Sequence, residues 1–447
     1  MERSTSYYPR VTIVSANPIR DDMANGVFLR SLFAGWPRDR LSQIYFPVAT
    51  GWLPNLPCCH DYRMIRISGR VQRVQENQSG QISFPAANRT ASSSPRLVSL
   101  LGRASLRRPR VFRWFKLIQE AWYAYSWIGK VLERELQALR PEIVYALLGN
   151  YCLTRITCLA CERLGFPLYL HITDDFIHSL YADIPFRSFF QAASNRWARR
   201  TMNYASGRAG ISPVMAEEYA TRYGADWSWF ATLVDSGAYD PTPRANPGPV
   251  KLVFAGNLGL QRWSTLRQLA LALQELRQKQ AIDSRLLIYT SPDQARAYHE
   301  TLNVSPITEL RGWIPPTQLP GIFHDADILV HVESFDSTTA AYTQLSLSTK
   351  ISQYMMAARC ILGVGPEQVA SIQVINRAQA GQTLCEKELP MLAQALVPIL
   401  KDEAFRQRCG ENGRRWALRW LETDSGRERF RLSLLQAMQR FSPRQAA

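Results

Sequence analysis

The most constraining feature of the sequence is a series of short apolar runs, each followed by a longer helical pattern, that begins twice along the chain. The runs of the first series are RVTIVSAN (10–17), SQIYFPV (42–48), YRMIRIS (62–68), PEIVYALLG (141–149), PLYLHIT (167–173) and GRAGIS (207–212). Helical stretches such as 114–139 and 152–164 lie between them. This alternation predicts a parallel sheet with helices on both faces.

The second series follows DSGAYDPTPRANPGPV (235–250), a segment rich in Pro, Gly, Asp and Ser. Its strand-like runs are VKLVFAGN (250–257), SRLLIYT (284–290), TELRGWI (308–314), ADILVHV (326–332) and CILGVG (360–365), and its helical patterns lie at about 262–280, 349–358 and 390–400. A chain of 447 residues is also too long for one ordinary core. We therefore predict two doubly wound α/β domains, 1–235 and 250–425, with a linker at 236–249 and a ligand cleft between them.

Residues 69–113 interrupt the rhythm of the first series, because large apolar side chains are few and Ser, Asn, Gln and Arg are many. We interpret this segment as a flexible insertion. It leads into a basic and aromatic stretch, so that 96–130 has the composition of a helix that docks on an anionic membrane surface. An ordinary domain helix with core aromatics is the alternative.

The net charge of +16, from 53 basic and 37 acidic residues, favours anionic partners such as phosphorylated ligands or acidic lipid. Nucleic acid is disfavoured because no nucleic-acid-binding motif is present. No stretch approaches the roughly 20 apolar residues that span a bilayer. The eight cysteines form neither a disulfide framework nor a zinc pattern. These observations predict a cytoplasmic protein, with peripheral contact at the inner face of the cell membrane if the basic segment docks there.

A glycine turn follows the first strand of the second series, in FAGNLGLQRWSTLRQLALAL (254–273). Gly256, Asn257 and Gly259 form the turn, and Arg262 precedes the helix. Backbone amides in such a turn and at a helix N-terminus attract a diphosphate, and glycine allows close approach. Arg262 adds a full charge and a bidentate grip. The alternative is that this segment is only a turn and binds no ligand.

A second cluster of this kind lies in LSLSTKISQYMMAARCIL (345–362). Ser348 and Thr349 precede a helix and would cap it in any protein. Lys350 is less expected, because a cation at a helix N-terminus opposes the helix dipole. A bound phosphate would offset that cost, although a plain capped helix with a solvated lysine remains the alternative.

Further polar residues follow other strands. Glu333 ends the strand ADILVHV, where a carboxylate can accept hydrogen bonds from sugar hydroxyls. Asn25 and Gly26 lie in the turn after the first strand, and His171 and Asp174 end the strand of HITDDF. We expect these four residues of the first domain to face the cleft.

These elements, in this order, resemble the GT-B glycosyltransferases, and within them the retaining, family-4-like group. FAGNLG resembles the turn that opens the donor domain of that family and contacts the diphosphate of the nucleotide sugar. The family commonly has an Arg and a Lys after this turn, whereas here Arg262 alone is near. In this family the final helix crosses back to the N-terminal domain. The resemblance therefore implies that residues 426–447 form a helix that packs on the first domain.

LSLSTKISQYMMAARCIL resembles the family segment in which a Ser/Thr-rich loop and a lysine precede a helix. Tyr354 and Met355 fit the pattern, while Ala358 and Cys360 replace its usual Gly and Pro. Gln353 occupies the place of an acidic residue that holds the ribose. The resemblance implies a donor site made by the following residues: Gly256, Asn257, Gly259, Trp313 (next to the base), Ser348, Thr349 and Gln353.

The implied reaction transfers a hexose from a nucleoside-diphosphate sugar, UDP- or GDP-linked, to an acceptor hydroxyl in bacterial-type polysaccharide or glycolipid assembly. Arg262 and Lys350 would stabilise the leaving diphosphate without a metal or another cofactor, with Glu333 near the donor sugar. The acceptor would be a saccharide or a lipid-linked saccharide. If the enzyme inverts, His171 or Asp174 would be its general base. Two alternatives stay open, namely a sugar-nucleotide epimerase and a catalytically degenerate scaffold protein.

Overall fold

A computed structural model describes most of the chain in two compact units. The described residues are 7–21, 23–46, 53–55, 57–66, 68–76, 82–83, 125–179, 187–243, 248–386 and 388–442. The first unit contains residues 1–211, 216–229 and 427–447, and the second contains 212–215 and 230–426.

The described part of the first unit contains one nine-stranded sheet. Its strands are β1 (Val11–Ser15), β2 (Leu41–Tyr45), β3 (Asp61–Ile65), β4 (Val71–Glu76), β5 (Ile82–Ser83), β6 (Ile143–Leu148), β7 (Leu168–Ile172), β8 (Gly207–Gly210) and β9 (Ser228–Trp229). Their order is β5-β4-β3-β2-β1-β6-β7-β8-β9. All neighbours are parallel except β3 with β4 and β4 with β5. The chain leaves β1 towards β2 on one side and later returns to β6 on the other, so the order reverses between β1 and β6.

Seven described helices belong wholly or largely to this unit. They are α1 (Ala24–Phe33), α2 (Ile128–Leu139), α3 (Tyr151–Leu164), α4 (Phe176–Ser179), α5 (Arg187–Tyr204), α6 (Pro213–Tyr223) and α15 (Thr423–Arg440), the last named by its place in the chain. Helix α3 shows why such helices begin and end where they do. The Asn150 side chain accepts a hydrogen bond from the Leu153 amide at its start, and Gly165 adopts a left-handed conformation at its end.

The last helix of the chain packs into the core of the first unit. Phe430 of α15 is fully buried and meets the rings of Phe33, Tyr145 and Tyr169 edge-on. The hydroxyl groups of Tyr169 and Ser433 lie 2.8 Å apart. Aromatic pairs of this geometry contribute about 0.5–1.5 kcal/mol beyond the apolar area that they bury.

The second unit contains a six-stranded, wholly parallel sheet. Its strands are β10 (Val250–Ala255), β11 (Ser284–Tyr289), β12 (Thr308–Arg311), β13 (Ile328–Val332), β14 (Cys360–Val364) and β15 (Gly381–Leu384). Their order is β12-β11-β10-β13-β14-β15, so the order of the strands reverses between β10 and β13. Ligands of doubly wound sheets bind at the carboxyl ends of the strands beside such a reversal.

Eight helices accompany these strands in the described residues. They are α7 (Arg262–Gln280), α8 (Pro292–Leu302), α9 (Leu319–His324), α10 (Ser337–Thr343), α11 (Thr349–Met356), α12 (Ala370–Arg377), α13 (Leu389–Lys401) and α14 (Glu403–Trp420). Helix α7 buries Leu266, Leu269, Leu273 and Leu276, which recur at helical spacing and pack against the sheet. This core fixes the start of α7 relative to the end of β10.

Among the described residues, the strands and helices foreseen from the sequence are present in both units, with one difference at the start of the proposed insertion; residues 114–124 of the expected helix 114–139 lie outside the described residues. Residues 71–76 form β4, which pairs antiparallel with β3, although 69–113 was expected to be flexible. Strand β4 lies near the edge of the sheet, between β3 and the two-residue β5, where an antiparallel strand tolerates polar side chains on a solvated face, and this hides it in the sequence. Residues 77–81 and 84–113 of the insertion, and most of 96–130, lie outside the described residues. Within the described residues, no helix is long and apolar enough to cross a membrane.

Candidate functional site

The reversal point of the second sheet lies beside the glycine turn that follows β10. The Gly256 amide donates to the Tyr289 carbonyl at 2.8 Å, which continues the ladder to β11. The Asn257 side-chain oxygen accepts from the Gly259 amide at 2.5 Å and from the Gln294 side-chain amide at 2.8 Å. These contacts hold the turn in one shape ahead of α7.

Lys350 occupies the space that a side chain at position 256 would need. An ideal Cβ on Gly256 would lie 2.1 Å from Cε and 2.5 Å from Nζ of Lys350. Real Cβ atoms do not approach other atoms so closely, so the ammonium group rests directly on the glycine backbone. The turn after β10 and the start of α11, which sequence analysis treated as two separate phosphate-binding motifs, therefore meet at one place.

Arg262, the first residue of α7, forms an ion pair with Glu333 at the end of β13. The guanidinium Nη2 lies 3.0 Å from Oε2 and 3.2 Å from Oε1, and Nε lies 3.3 Å from Oε2. Thr265, one turn later in α7, donates its hydroxyl to the Glu333 carbonyl at 2.8 Å. Glu333 is almost fully buried, so its carboxylate faces Arg262 and not open solvent.

His331 completes the cluster. Residues two apart in a strand share a face, and His331 places Nε2 3.0 Å from Oε1 of Glu333. Burial lowers the pKa of His331 further than the carboxylate raises it, which favours a neutral imidazole. Burial by itself would raise the pKa of Glu333, but His331 and Arg262 outweigh that effect and hold the pKa below its usual value.

The cluster carries more positive than negative charge. Burial and the nearby Arg262 lower the pKa of Lys350 to about 8, and Glu333 opposes this shift. At neutral pH the two cations face one carboxylate and a neutral histidine, so the net charge is +2 − 1 = +1. An anion bound between Arg262 and Lys350 would relieve their repulsion.

The N-terminus of α11 adds polar groups to this cluster. Ser348 is the N-cap residue, yet its side chain makes no capping hydrogen bond to the helix. Its own amide donates to the Ser371 hydroxyl at 3.1 Å. Thr349 is the first residue of α11, and Gln353 lies one turn later with a partly exposed side chain. Amides in the first turn of a helix without a side-chain cap are available to an anion.

Trp313 lies apart from this cluster, in the loop after β12 at the edge of the sheet, and 62% of its surface is exposed. The carboxyl ends of β10, β11 and β12 are consecutive along one edge of the sheet. The structure thus brings Gly256, Arg262, Glu333 and Lys350 together and leaves Trp313 two strands away.

The acceptor-side residues predicted from the sequence belong to the first unit. Gly26 is buried in the first turn of α1, where a Cβ would lie 2.0 Å from the Arg20 carbonyl oxygen. Only glycine allows this close backbone contact. The neighbouring Asn25 is partly exposed.

His171 is fully buried in β7. Its Nδ1 lies 2.8 Å from the Tyr145 hydroxyl, and its ring meets Phe28 of α1 edge-on at 4.9 Å. This aromatic enclosure differs from the solvent-facing position expected of a general base. Asp174 is partly exposed in the turn after β7.

Asp175, the next residue, is buried in a polar network. Its Oδ2 accepts from Arg222 at 2.7 Å, and its Oδ1 accepts from the Tyr219 hydroxyl at 2.8 Å and lies 3.0 Å from Nδ1 of His178. Burial would raise the pKa of Asp175, but His178 and Arg222 together hold it below its usual value. This carboxylate is therefore ionised.

Sequence analysis missed His331, Thr265, His178 and Arg222. His331 could have been found, because a histidine two residues before a strand-terminal glutamate shares its face. Arg222 lies 47 residues from Asp175, and no local pattern joins them. Among the described residues, no group of three or more His, Cys, Asp or Glu side chains is placed to hold a metal ion.

The sequence matches no family model and no curated protein. Solved structures with a similar fold include trehalose 6-phosphate synthase from Burkholderia multivorans (TM-score 0.62, 13% identity, 99% of each chain covered). Others are HepE from Anabaena in complex with UDP (TM-score 0.61, 11% identity, 95% of this chain and 99% of that one) and sucrose-phosphate synthase from Thermosynechococcus elongatus (TM-score 0.60, 12% identity, 96% and 98%). These neighbours are GT-B glycosyltransferases. The predicted class, α/β with two parallel-sheet bodies of GT-B type, is confirmed.

Proposed function

We propose that this chain is a glycosyltransferase that binds the diphosphate of a nucleotide sugar between Gly256, Arg262 and Lys350. The observation that carries the proposal is the contact of Lys350 with the glycine turn, beside the Arg262–Glu333 ion pair. Two cations, at the starts of α7 and α11, meet at the reversal point of a parallel sheet, where ligands of such sheets bind.

The charge of the cluster supports a strongly anionic ligand. A diphosphate brings negative charge to a place where two cations share one carboxylate, and it can accept hydrogen bonds from the backbone amides of Thr349 and Lys350 at the start of α11. Gly256, Asn257, Gly259, Ser348 and Thr349 form the rest of this donor site. Trp313 and Gln353 would contact the base and the ribose.

The neighbours favour a UDP-sugar as the donor. HepE from Anabaena has been solved with UDP and with UDP-glucose, which are complexes of that protein. We transfer the donor class to this chain because its own basic cluster suits a nucleoside diphosphate. A GDP-sugar remains in the test panel.

In the proposed reaction, an acceptor hydroxyl attacks the anomeric carbon of the donor hexose, and the nucleoside diphosphate departs with the electron pair of the broken bond and takes up the proton of that hydroxyl. Arg262 and Lys350 stabilise the charge that develops on the leaving diphosphate. Their two positive charges can serve without a metal ion. Glu333 holds Arg262 in place, and retention of the anomeric configuration is the stereochemistry that we expect from the resemblance to family-4-like enzymes.

We propose a saccharide or lipid-linked saccharide as the acceptor, in polysaccharide or glycolipid assembly on the inner face of the cell membrane. The described end of the basic segment supports a surface contact, because Trp127 is about half exposed and its indole nitrogen packs on Gly69. Interfacial tryptophans of this kind lie at the boundary of a bilayer. Binding of the full chain to anionic vesicles, lost on deletion of 96–116, tests this part of the proposal.

The central experiment is a thermal-shift screen of the full chain against UDP-, GDP-, ADP- and TDP-sugars, followed by calorimetry. We expect one nucleotide class to raise the unfolding temperature. Radiolabelled donor then distinguishes transfer to an acceptor from release of an epimerised sugar nucleotide. Donor binding without any turnover would indicate a degenerate scaffold, and no stabilisation by any nucleotide sugar would contradict the donor site itself.

A further inference from the structure

A histidine at the carboxyl end of β7 is held in one orientation while part of its ring reaches solvent. The Nδ1 atom of His178 lies 3.0 Å from Oδ1 of Asp175 and 3.0 Å from Nη1 of Arg222. Both groups are fixed in turn, because Arg222 also bonds Oδ2 of Asp175 at 2.7 Å and Oε1 of Glu218 at 2.5 Å. Even so, 43% of the His178 side chain is exposed.

This arrangement orients the second ring nitrogen of His178. With Nδ1 engaged by the buried network, Nε2 is the ring atom left for an external partner. A hydroxyl group can both donate and accept, so it can pair with Nε2 in either tautomer of the imidazole.

The sheet places aromatic groups at the same edge. Strands β1, β6 and β7 are parallel neighbours, so their carboxyl ends lie side by side. Tyr151 follows β6, and its hydroxyl lies 2.6 Å from that of Tyr125. The guanidinium of Arg155 lies 4.3 Å from the centre of the Tyr125 ring, yet 66% of Tyr125 is exposed.

Helix α5 connects the two features. Arg155 also lies 5.0 Å from the ring centre of Trp197 in α5, and the Gln191 side chain of the same helix donates to the His178 carbonyl at 3.3 Å. An immobilised aromatic ring offers a rigid apolar face at little entropic cost. Sugar rings present C–H groups to such a face and hydroxyl groups around their rim.

We propose that Tyr125 and His178 form the binding subsite for a carbohydrate acceptor, in which the Tyr125 ring packs on the sugar and Nε2 of His178 hydrogen-bonds one of its hydroxyls. Asp175 and Arg222 act through His178 as positioning residues. The inference rests on the proposed glycosyltransferase function, which it deepens by assigning the acceptor class and its contacts.

The subsite is tested by footprinting the full chain with diethyl pyrocarbonate, which modifies accessible imidazole nitrogens. We expect His178 to be modified in the protein with UDP alone and to be protected at least about fivefold when a para-nitrophenyl glycoside from a panel of pyranosides is added. His60, an exposed histidine of the same unit, is the control and should react equally in both samples. Unchanged modification of His178 with every glycoside overturns the inference.

Kinetics supplies an independent measurement with UDP-glucose and GDP-mannose as donors. We expect His178→Ala to lower transfer to glycosides about 2- to 10-fold relative to hydrolysis of the same donor, because a typical hydrogen bond contributes roughly 0.5–1.5 kcal/mol. Donor affinity should remain that of the wild type, and His60→Ala should change nothing. Equal loss of transfer and hydrolysis would reduce His178 to a structural role.

The two proposals fail in different ways. A wild-type protein that neither binds nor hydrolyses any nucleotide sugar contradicts the proposed function and this inference with it. A wild-type protein that binds donor while His178→Ala keeps the full ratio of transfer to hydrolysis contradicts the acceptor subsite alone.

Discussion

The two sheets each carry a buried histidine as the fourth residue of an interior strand, and the partners of these histidines differ. His171 of β7 bonds the Tyr145 hydroxyl and packs against Phe28. His331 of β13 faces the Glu333 carboxylate, with Arg262 and Lys350 close enough to influence its pKa. The strand geometry is the same, so the neighbours decide whether the position becomes part of an aromatic core or part of a charged cluster.

The strongest test of this contrast is Glu333→Ala, which leaves Arg262 without its buried counter-charge. Loss of one partner of a buried ion pair costs about 3–5 kcal/mol of unfolding free energy. We expect that loss in urea or thermal unfolding, and Glu275→Ala, which removes a surface pair with Lys279, should cost less than about 0.5 kcal/mol. Equal losses of unfolding free energy in Glu333→Ala and Glu275→Ala would show that water screens the Arg262–Glu333 pair as it screens a surface pair.

Lys350→Met removes the ammonium group and keeps the length of the side chain. We expect donor affinity to fall about 10- to 100-fold, because charge-assisted hydrogen bonds to phosphate contribute roughly 1.5–3 kcal/mol. The protein should stay folded, since the variant also removes the repulsion from Arg262. Lys279→Met on the exposed face of α7 is the control, and calorimetry with UDP-glucose is the measurement.

Gly256→Ala places a methyl group where Cε and Nζ of Lys350 lie. The lysine can swing aside, so stability should change by less than about 1 kcal/mol while donor affinity falls about tenfold. Gly321→Ala is the matched control, because a Cβ there would meet no atom within 4 Å. A wild-type affinity in Gly256→Ala would mean that the ammonium group need not rest on the turn.

Donor binding should weaken as pH rises through about 8, because Lys350 loses its charge there. The pH dependence of the unfolding free energy has the opposite sign. The folded pKa lies below the ordinary value of 10.5, so the unfolded chain binds more protons between these pH values, and the unliganded protein gains stability as pH rises across that window. Lys350→Met should lose both dependences in calorimetry and thermal unfolding.

The smallest effect on donor affinity is expected in the first unit. Tyr145→Phe removes the hydroxyl that His171 bonds, at a cost of about 1–3 kcal/mol if the buried nitrogen stays unsatisfied and less if it finds another partner. Because this site carries no charge cluster, the affinity for UDP-glucose should be that of the wild type. A loss of donor affinity in Tyr145→Phe would erase the distinction between the two histidines.

Sequence patterns predicted most of the fold and about half of the candidate site. Helix α7 begins at Arg262 and ends at Gln280 as expected, because leucines recur at helical spacing between a glycine turn and a polar segment. Glu333 was correctly placed at a strand end, but its pairing with Arg262, 71 residues earlier, depends on the order of strands in the sheet. Strand order and side-chain direction are tertiary properties, which local periodicity does not encode.

The same limit explains why the sequence did not predict which residues of the proposed acceptor side are exposed. A histidine after a strand can be a core residue or a surface one, and the sequence HITDDFIH offers two of them. His171 faces inward because it alternates with neighbours inside a buried strand, whereas His178 lies in a short helix beyond the strand end. The end of β7 at Ile172 lies between the two histidines and separates their environments.

The missing side chain at Gly256 has an evolutionary consequence. Since the tip of Lys350 fills the volume that any larger residue would claim, the two positions are one steric unit and should change together among homologues. A relative that carries alanine or serine in place of Gly256 should have lost the lysine, or have moved its positive charge to another strand end. Such paired replacement would be readable from an alignment alone.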